Sequence, residues 1–288
     1  MFLIDTPGFD DPERTDAQIL DAISQLLALW YAGGYKLKGC IYLHRITDNK
    51  FPAHAIKTLK IFQHICGDSA LKNVLLVTTR WDEIEEKEGA KRESQLRSEQ
   101  WKYMLAKGST LARFKNTPAS AHTLLSELMG KGSVVLDLQR ELVDERKRLC
   151  ETAAGNIVYE NVQAIKDDHQ QLLEELKKER DSLQSQNDTY RRELMRDQDK
   201  QLEMLQKVYS DQARLERRPA EEVQKKVKSK RGASVGKVLL KVLPLVPATL
   251  EIIGMFVGFP PGVMHSMTSW MKDFGQDGPD DSDDGDAT

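Results

Sequence analysis

Clustered metal ligands and paired cysteines are missing from this sequence. Its three cysteines, Cys40, Cys66 and Cys150, lie far apart without C-x-x-C spacing, and its six histidines form no H-E-x-x-H motif. Structural zinc sites and disulfide frameworks need such clusters. We therefore expect no zinc site and three free, buried thiols, which suits a reducing compartment such as the cytoplasm.

Long uninterrupted apolar runs are missing as well. The apolar region of residues 235–272 contains four prolines and Glu251, whereas a membrane-spanning helix needs about 20 consecutive apolar residues. A basic linker, residues 219–234, precedes it. Because a basic flank before an apolar segment suits an anionic membrane surface, we expect this region to lie on a membrane or to pack against helices rather than to span a bilayer.

The chain carries no large excess of either charge. Its net charge is −3 at pH 7 with 30% charged residues, so the overall charge indicates no nucleic-acid partner. The acidic tail, residues 273–288, has the composition of a disordered segment. Met1 leads into a predicted strand without the basic region and cleavage site of a signal peptide. We expect a cytoplasmic protein, peripheral at a membrane if the apolar region binds one.

Apolar strands and amphipathic helices alternate over residues 1–132, which predicts an α/β fold with a parallel sheet. The predicted strands are residues 1–4, 37–43, 74–79 and 111–114. The predicted helices start at Thr15 or Asp16, at Pro52, near Gly89 and at Ser120.

Residues 133–218 contain no proline and a single glycine, and they are rich in charged residues and glutamine. Apolar residues recur there at gaps of three, four and seven, which predicts a long helical region with coiled-coil tendency. We expect homo- or hetero-oligomers through this region. The apolar positions are Val162, Ile165, Leu172, Leu176, Leu183, Tyr190, Leu194, Leu202 and Leu205.

The first motif is Asp5-Thr6-Pro7-Gly8, which directly follows a predicted apolar strand. A strand of this kind delivers a carboxylate to the ligand-binding edge of an α/β sheet. In nucleoside-triphosphatases that carboxylate holds Mg²⁺, usually through water, and the glycine lets a backbone N–H approach the γ-phosphate. An ordinary Pro-Gly turn after an aspartate is the alternative interpretation.

Two further motifs follow later strands. Thr79-Arg80-Trp81-Asp82 resembles the [Asn/Thr]-Lys-x-Asp guanine motif of GTPases, in which the final carboxylate accepts hydrogen bonds from guanine N1–H and the exocyclic amine. An aspartate that caps a helix is the alternative for Asp82. Ser120-Ala121 opens the last helix of the region, where a backbone N–H of such a pair contacts guanine O6. Arg45 follows another strand, where it would contact phosphate or a neighbouring protomer, and a solvated loop arginine is the alternative.

Taken in this order, the motifs of residues 2–129 resemble the TRAFAC-class P-loop GTPases, closest to the septin-like and GIMAP (AIG-type) group. The resemblance rests on residues 2–11, 42–48 and 77–82 and covers a little under half of the chain. It implies GTP or GDP and Mg²⁺ as ligands, with Asp5 ordering Mg²⁺ and Gly8 sensing the γ-phosphate. Asp82 would select guanine, and oligomers would form through the G domain or the coiled coil.

The sequence departs from this family at the phosphate site. It contains no G-x-x-x-x-G-K-[S/T] loop, and Phe9 stands where Ras-like enzymes have a water-orienting glutamine. We therefore expect a partial, N-terminally truncated G domain, lacking the family's first strand and P-loop, at residues 1–132. Hydrolysis would be weak or absent. The alternative function is a non-enzymatic coiled-coil scaffold, or membrane-associated pseudo-GTPase.

Overall fold

The computed structural model describes residues 3–9, 11–49, 51–182 and 188–221. From residue 222 onward, the predicted basic linker, apolar region and acidic tail lie outside the described residues. Within the described part, no helix is long and apolar enough to cross a membrane.

The fold is mixed α/β with a small parallel sheet, as predicted. Its three strands are β1 (Cys40–Arg45), β2 (Val74–Thr79) and β3 (Thr110–Arg113), in the order β1-β2-β3. All six residues of β2 are buried. This burial is typical of a central parallel strand covered on both faces, and it explains why β2 reads as a continuous apolar run.

The strand predicted at residues 1–4 is wrong for its described part, because residues 3–8 form neither helix nor strand. A strand needs a neighbour to satisfy its backbone groups, and among the described strands β1 pairs only with β2. The strand predicted at 37–43 starts later, at Cys40. Leu37 instead forms an isolated antiparallel bridge with Val134.

Eight α-helices are described. The helix predicted near Gly89–Leu105 is interrupted, because the fully buried Trp101 turns the chain between two shorter helices. Thr15 and Thr117 cap their helices with capping boxes, in which side chain and backbone exchange hydrogen bonds. The helices are α1 (Asp16–Ala32), α2 (Ala53–Cys66), α3 (Glu86–Ser98), α4 (Lys102–Ala106), α5 (Pro118–Met129), α6 (Asp137–Val143), α7 (Ala153–Ser182) and α8 (Asp188–Leu215).

The two long helices, α7 and α8, pack against each other as an antiparallel hairpin. Lys166 donates to Gln212 near the base of the hairpin, and Arg180 donates to Gln198 near its tip. The predicted apolar seam is therefore used within one chain. Of its residues, Val162, Leu194 and Leu205 are buried, whereas Ile165, Leu172 and Leu202 remain at least 38% exposed.

One hydrophobic core joins the parts of the chain before and after residue 132. A single cluster includes Phe9, Ile19 and Phe62 together with Val158 and Leu215. The helix α2 packs against α7, and α1 packs against α6 and α8. The predicted α/β region and the predicted helical region therefore share one hydrophobic core.

Candidate functional site

The candidate site is the edge of the sheet where the strands end. Because the strands are parallel, Arg45, Thr79 and Arg113 come to the same edge, with Arg45 beside Thr79 and Arg113 beside Thr78. Two of the three predicted motifs follow β2 and β3, one in the turn after β2 and the other at the start of α5. Ligands of open α/β sheets bind at this edge.

The motif after β2 is held in a tight turn. Arg80 adopts a left-handed backbone conformation (φ 61°) that non-glycine residues seldom take, and residues Trp81–Glu83 form one 3₁₀ turn. The Thr79 hydroxyl donates to the His44 carbonyl, and Arg80 donates to both carboxylate oxygens of Glu83 at 2.9–3.0 Å. Asp82 is exposed to solvent.

A cluster that the sequence interpretation missed joins this turn to α3 and β3. The Arg113 guanidinium carbon lies 3.9 Å from the Trp81 ring centroid, and its Nε and Nη2 donate to the two oxygens of Glu93 at 2.9 and 2.6 Å. Trp81 Nε1 donates to the buried Thr78 hydroxyl at 3.0 Å. Hydrogen bonding to Glu93 raises the pKa of Arg113, which therefore stays charged. No regular spacing links these residues in the sequence.

The Ser120-Ala121 pair lies in the first turn of α5, whose N-cap is Thr117. Ala121 N–H donates to the Thr117 carbonyl at 3.1 Å, and Ser120 N–H donates to the Thr117 hydroxyl at 3.2 Å. Both N–H groups therefore already have partners. A ligand atom would have to share one of these donors.

The Asp5-Thr6-Pro7-Gly8 motif forms a half-buried loop in front of the fully buried Phe9. The Thr6 hydroxyl is buried without a hydrogen-bond partner. Among the described residues, no hydrogen bond joins this loop to Asp82 or Ser120. The structure thus brings the second and third motifs to one edge, and its contacts do not tie the first motif to them.

The described residues contain no group of three histidine, cysteine, aspartate or glutamate side chains that could hold a metal ion. Asp5 would supply a single carboxylate. Mg²⁺ is commonly bound by one or two carboxylates together with phosphate oxygens of a bound nucleotide. The described residues therefore do not form a complete Mg²⁺ site by themselves, and the predicted role of Asp5 depends on a nucleotide.

A small cavity of about 50 Å³ lies at the end of β1, with His44, Asp48 and Arg92 in its lining. His44 is 4% exposed, its Nδ1 has no hydrogen-bond partner, and its ring packs against Phe51 and Trp101. Burial lowers the pKa of His44 from 6.5 to about 4. Ligand pockets usually have volumes of about 300–1,000 Å³, and this cavity is far smaller. It is too small for a nucleotide.

Comparison of the chain with protein-family models, curated proteins and solved structures finds no match.

Proposed function

We propose that this chain is a guanine-nucleotide-binding domain of the septin-like or GIMAP type, with weak or absent GTP hydrolysis. The observation that carries the proposal is the shared position of two motifs at one sheet edge. Asp82 follows the central strand β2, and Ser120 follows the neighbouring strand β3. This is the order in which a G domain presents its base-recognition residues.

Asp82 is the residue that would select guanine. Its carboxylate is exposed, and it would accept hydrogen bonds from guanine N1–H and from the exocyclic amine. Adenine carries no hydrogen on N1, so it cannot make this pair of contacts. A hydrogen bond to a charged group contributes about 1.5–3 kcal/mol, which corresponds to roughly a 10- to 100-fold preference for guanine.

The rest of the base contacts would come from residues that already have partners. The aliphatic part of the Arg80 side chain would lie along the base, while its guanidinium stays paired with Glu83. The N–H of Ala121 would be shared between the Thr117 carbonyl and guanine O6. The hydrogen bond from the Ser120 hydroxyl to the Thr117 carbonyl would stabilise the turn. Asp82 therefore supplies most of the selectivity in this proposal.

Weak hydrolysis follows from the phosphate side of the site. The chain has no G-x-x-x-x-G-K-[S/T] loop and no glutamine at position 9. Without a loop that cradles the phosphates, little positions the γ-phosphate or the attacking water. Asp5 and Gly8 are the residues of this chain that would contribute there, toward Mg²⁺ and the γ-phosphate.

Calorimetric titration of the full chain with GTP, GDP and ATP tests the proposal. We expect both guanine nucleotides to bind at least tenfold more tightly than ATP, and Asp82→Asn to abolish the preference. Glu85→Gln is the matched control, since Glu85 is an exposed acid three residues away and should leave the preference intact. Equal binding of GTP and ATP by the unaltered chain would contradict base recognition.

A second candidate function, a non-enzymatic scaffold, is favoured by an exposed apolar row on α8. Met195, Leu202 and Tyr209 follow each other at seven-residue intervals and are 54%, 46% and 47% exposed. Residues seven apart lie on the same helix face. A second copy of the hairpin that packs on this row would bury it.

Light scattering of the full chain tests the scaffold. The scaffold function requires a mass of twice 32.7 kDa at micromolar concentration and a monomer for Leu202→Glu. The exposed neighbour Glu203→Gln should remain dimeric. A monomeric unaltered chain at high micromolar concentration would exclude self-association through this row.

The proposed contact with an anionic membrane concerns residues 219–272, most of which lie outside the described residues. Flotation of the full chain with anionic liposomes tests it, and salt should weaken the binding because the basic linker supplies part of the attraction. Absence of flotation at low salt would contradict binding to an anionic membrane.

A further inference from the structure

The arginines at the candidate edge already have acidic partners. Each of the three strands ends at an arginine or directly before one. Arg45 Nε donates to Asp48 at 3.3 Å, and Arg113 donates to both Glu93 and Glu86. A phosphate group that bound either arginine would have to displace these carboxylates.

Two further arginines near this edge are paired in the same way. Arg80 donates to both oxygens of Glu83 at 2.9 and 3.0 Å, and Arg92 Nε donates to Glu88 at 3.2 Å. Arg92 Nη1 also donates to two carbonyls of the loop after β1. The side chains of Arg80 and Arg92 are only 16% and 21% exposed, so the fold holds both arginines in these contacts.

Replacing a carboxylate by a phosphate on these arginines would gain little free energy. The guanidinium donates to anionic oxygen atoms both before and after the exchange, so only the difference between two similar contacts counts. The displaced carboxylate also loses its partner. For Glu93, whose side chain is 14% exposed, this loss is unfavourable, because an unpaired charge would remain mostly buried. None of these four arginines is therefore free to bind phosphate.

The segment that carries Asp82 is acidic. Residues 80–88 contain five acidic and two basic side chains, which gives this segment a net charge of −3. All five acidic residues are exposed to solvent. A ligand that reaches Asp82 therefore approaches exposed negative charge, and each phosphate on that ligand adds repulsion from this segment.

We propose that the edge binds guanine nucleosides as a class, and that the phosphates of a nucleotide add no affinity. This inference rests on the proposed guanine recognition by Asp82 and specifies the ligand that such a site takes. The base supplies the binding free energy. The paired arginines and the acidic segment offer the phosphates no net attraction, so guanosine binds at least as well as GTP.

Calorimetric titration of the full chain with guanosine, GMP, GDP and GTP in buffer that contains Mg²⁺ tests the inference. We expect the affinity for GTP to be lower than that for guanosine or within about threefold of it. A GTP affinity about tenfold or more above that of guanosine would overturn the inference. Adenosine tests the base separately, since equal binding of adenosine and guanosine would contradict guanine recognition. Absence of binding by every ligand would overturn both.

Salt and one variant provide further tests. If no cation contacts the phosphates, added salt should not weaken GTP binding relative to guanosine binding, whereas salt would screen the attraction of a cationic phosphate site. Lys115→Gln removes an exposed lysine that follows β3, and it should change the GTP affinity by less than about twofold. A selective loss of GTP affinity, either with added salt or in Lys115→Gln, would reveal a phosphate contact and overturn the inference.

Discussion

Arg113 illustrates how a single side chain organises the candidate edge. It stacks on Trp81, forms a two-bonded ion pair with Glu93, and also reaches Glu86. A planar guanidinium can make the stacked and the bidentate contacts at the same time, whereas a lysine ammonium cannot. These contacts fix α3 and β3 to the turn that carries Asp82, so the residue proposed to select guanine lies on a cross-linked support.

The first residue-scale prediction concerns this support. Arg113→Lys keeps the charge and loses the stacking and one of the two Glu93 bonds, so we expect the free energy of unfolding to fall by about 1–2 kcal/mol. Urea denaturation measures the change. The exposed Arg97→Lys on α3 is the matched control and should alter stability by less than about 0.5 kcal/mol. Equal effects of both substitutions would contradict the support role.

His44 gives the second residue-scale prediction. Burial lowers the pKa of His44 from 6.5 to about 4. His44 therefore binds a proton below pH 6.5 in the unfolded chain, but only below about pH 4 in the folded chain. The contribution of neutral His44 to the free energy of unfolding is present above pH 6.5 and is lost as the pH falls toward 4. For these pKa values we expect a loss of about 2 kcal/mol at pH 5.

Urea denaturation of the unaltered chain and of His44→Gln at pH 7.5 and pH 5 checks this dependence. The drop in unfolding free energy between the two pH values should be about 2 kcal/mol smaller in His44→Gln. The exposed His122→Gln on α5 should retain the full drop. An unchanged drop in His44→Gln would show that the acid sensitivity comes from other groups.

At the scale of elements, the start of α7 depends on a close approach at Gly155. A Cβ atom at this position would overlap the Leu149 carbonyl, which belongs to the backbone and cannot rotate away. Gly155 N–H also donates to the Thr152 hydroxyl, which itself donates to that carbonyl. Alanine here would push α7 away from the turn formed by residues 149–151.

We therefore expect Gly155→Ala to lower the free energy of unfolding by about 1–3 kcal/mol, the usual cost of overpacking a tight site. Thermal unfolding followed by circular dichroism measures it. Gly132→Ala is the control, because nothing lies within 4 Å of the added Cβ. A Gly155→Ala chain as stable as this control would contradict the close approach.

Local signals predicted several elements well. The continuous apolar run of β2 and the Thr15 cap of α1 gave boundaries that match the structure, because both depend on residues within or beside the element. The break between α3 and α4 was missed, since it depends on the burial of Trp101 against Tyr42 and His44. These contacts come from distant parts of the chain.

At the scale of the whole molecule, tertiary packing determines whether the long helices pair within one chain or between chains. The heptad-like spacing predicted long helices, but it could not distinguish pairing within one chain from pairing between chains. The hairpin of α7 and α8 and its contacts with α1 and α2 required the fold of the rest of the chain.

The candidate site was predictable in part. The order of strands and motifs placed Asp82 and Ser120 after neighbouring strands, which agrees with their position at one edge. The positions of Arg113, Glu93 and Trp81 at the same edge were not predicted, because no regular spacing links these residues in the sequence. The hydrogen bonds that Thr117 accepts from the N–H groups of Ser120 and Ala121 were not predicted either.

The most direct test of the central claim is a titration of the full chain with GDP, IDP and ADP. Hypoxanthine keeps the N1–H of guanine and lacks the exocyclic amine, so IDP removes one of the two hydrogen bonds proposed for Asp82. We predict affinities in the order GDP, IDP, ADP, with about tenfold between steps, and a flat series for Asp82→Asn. An ADP affinity equal to that of GDP, or a GDP preference that survives in Asp82→Asn, would contradict guanine recognition by this edge.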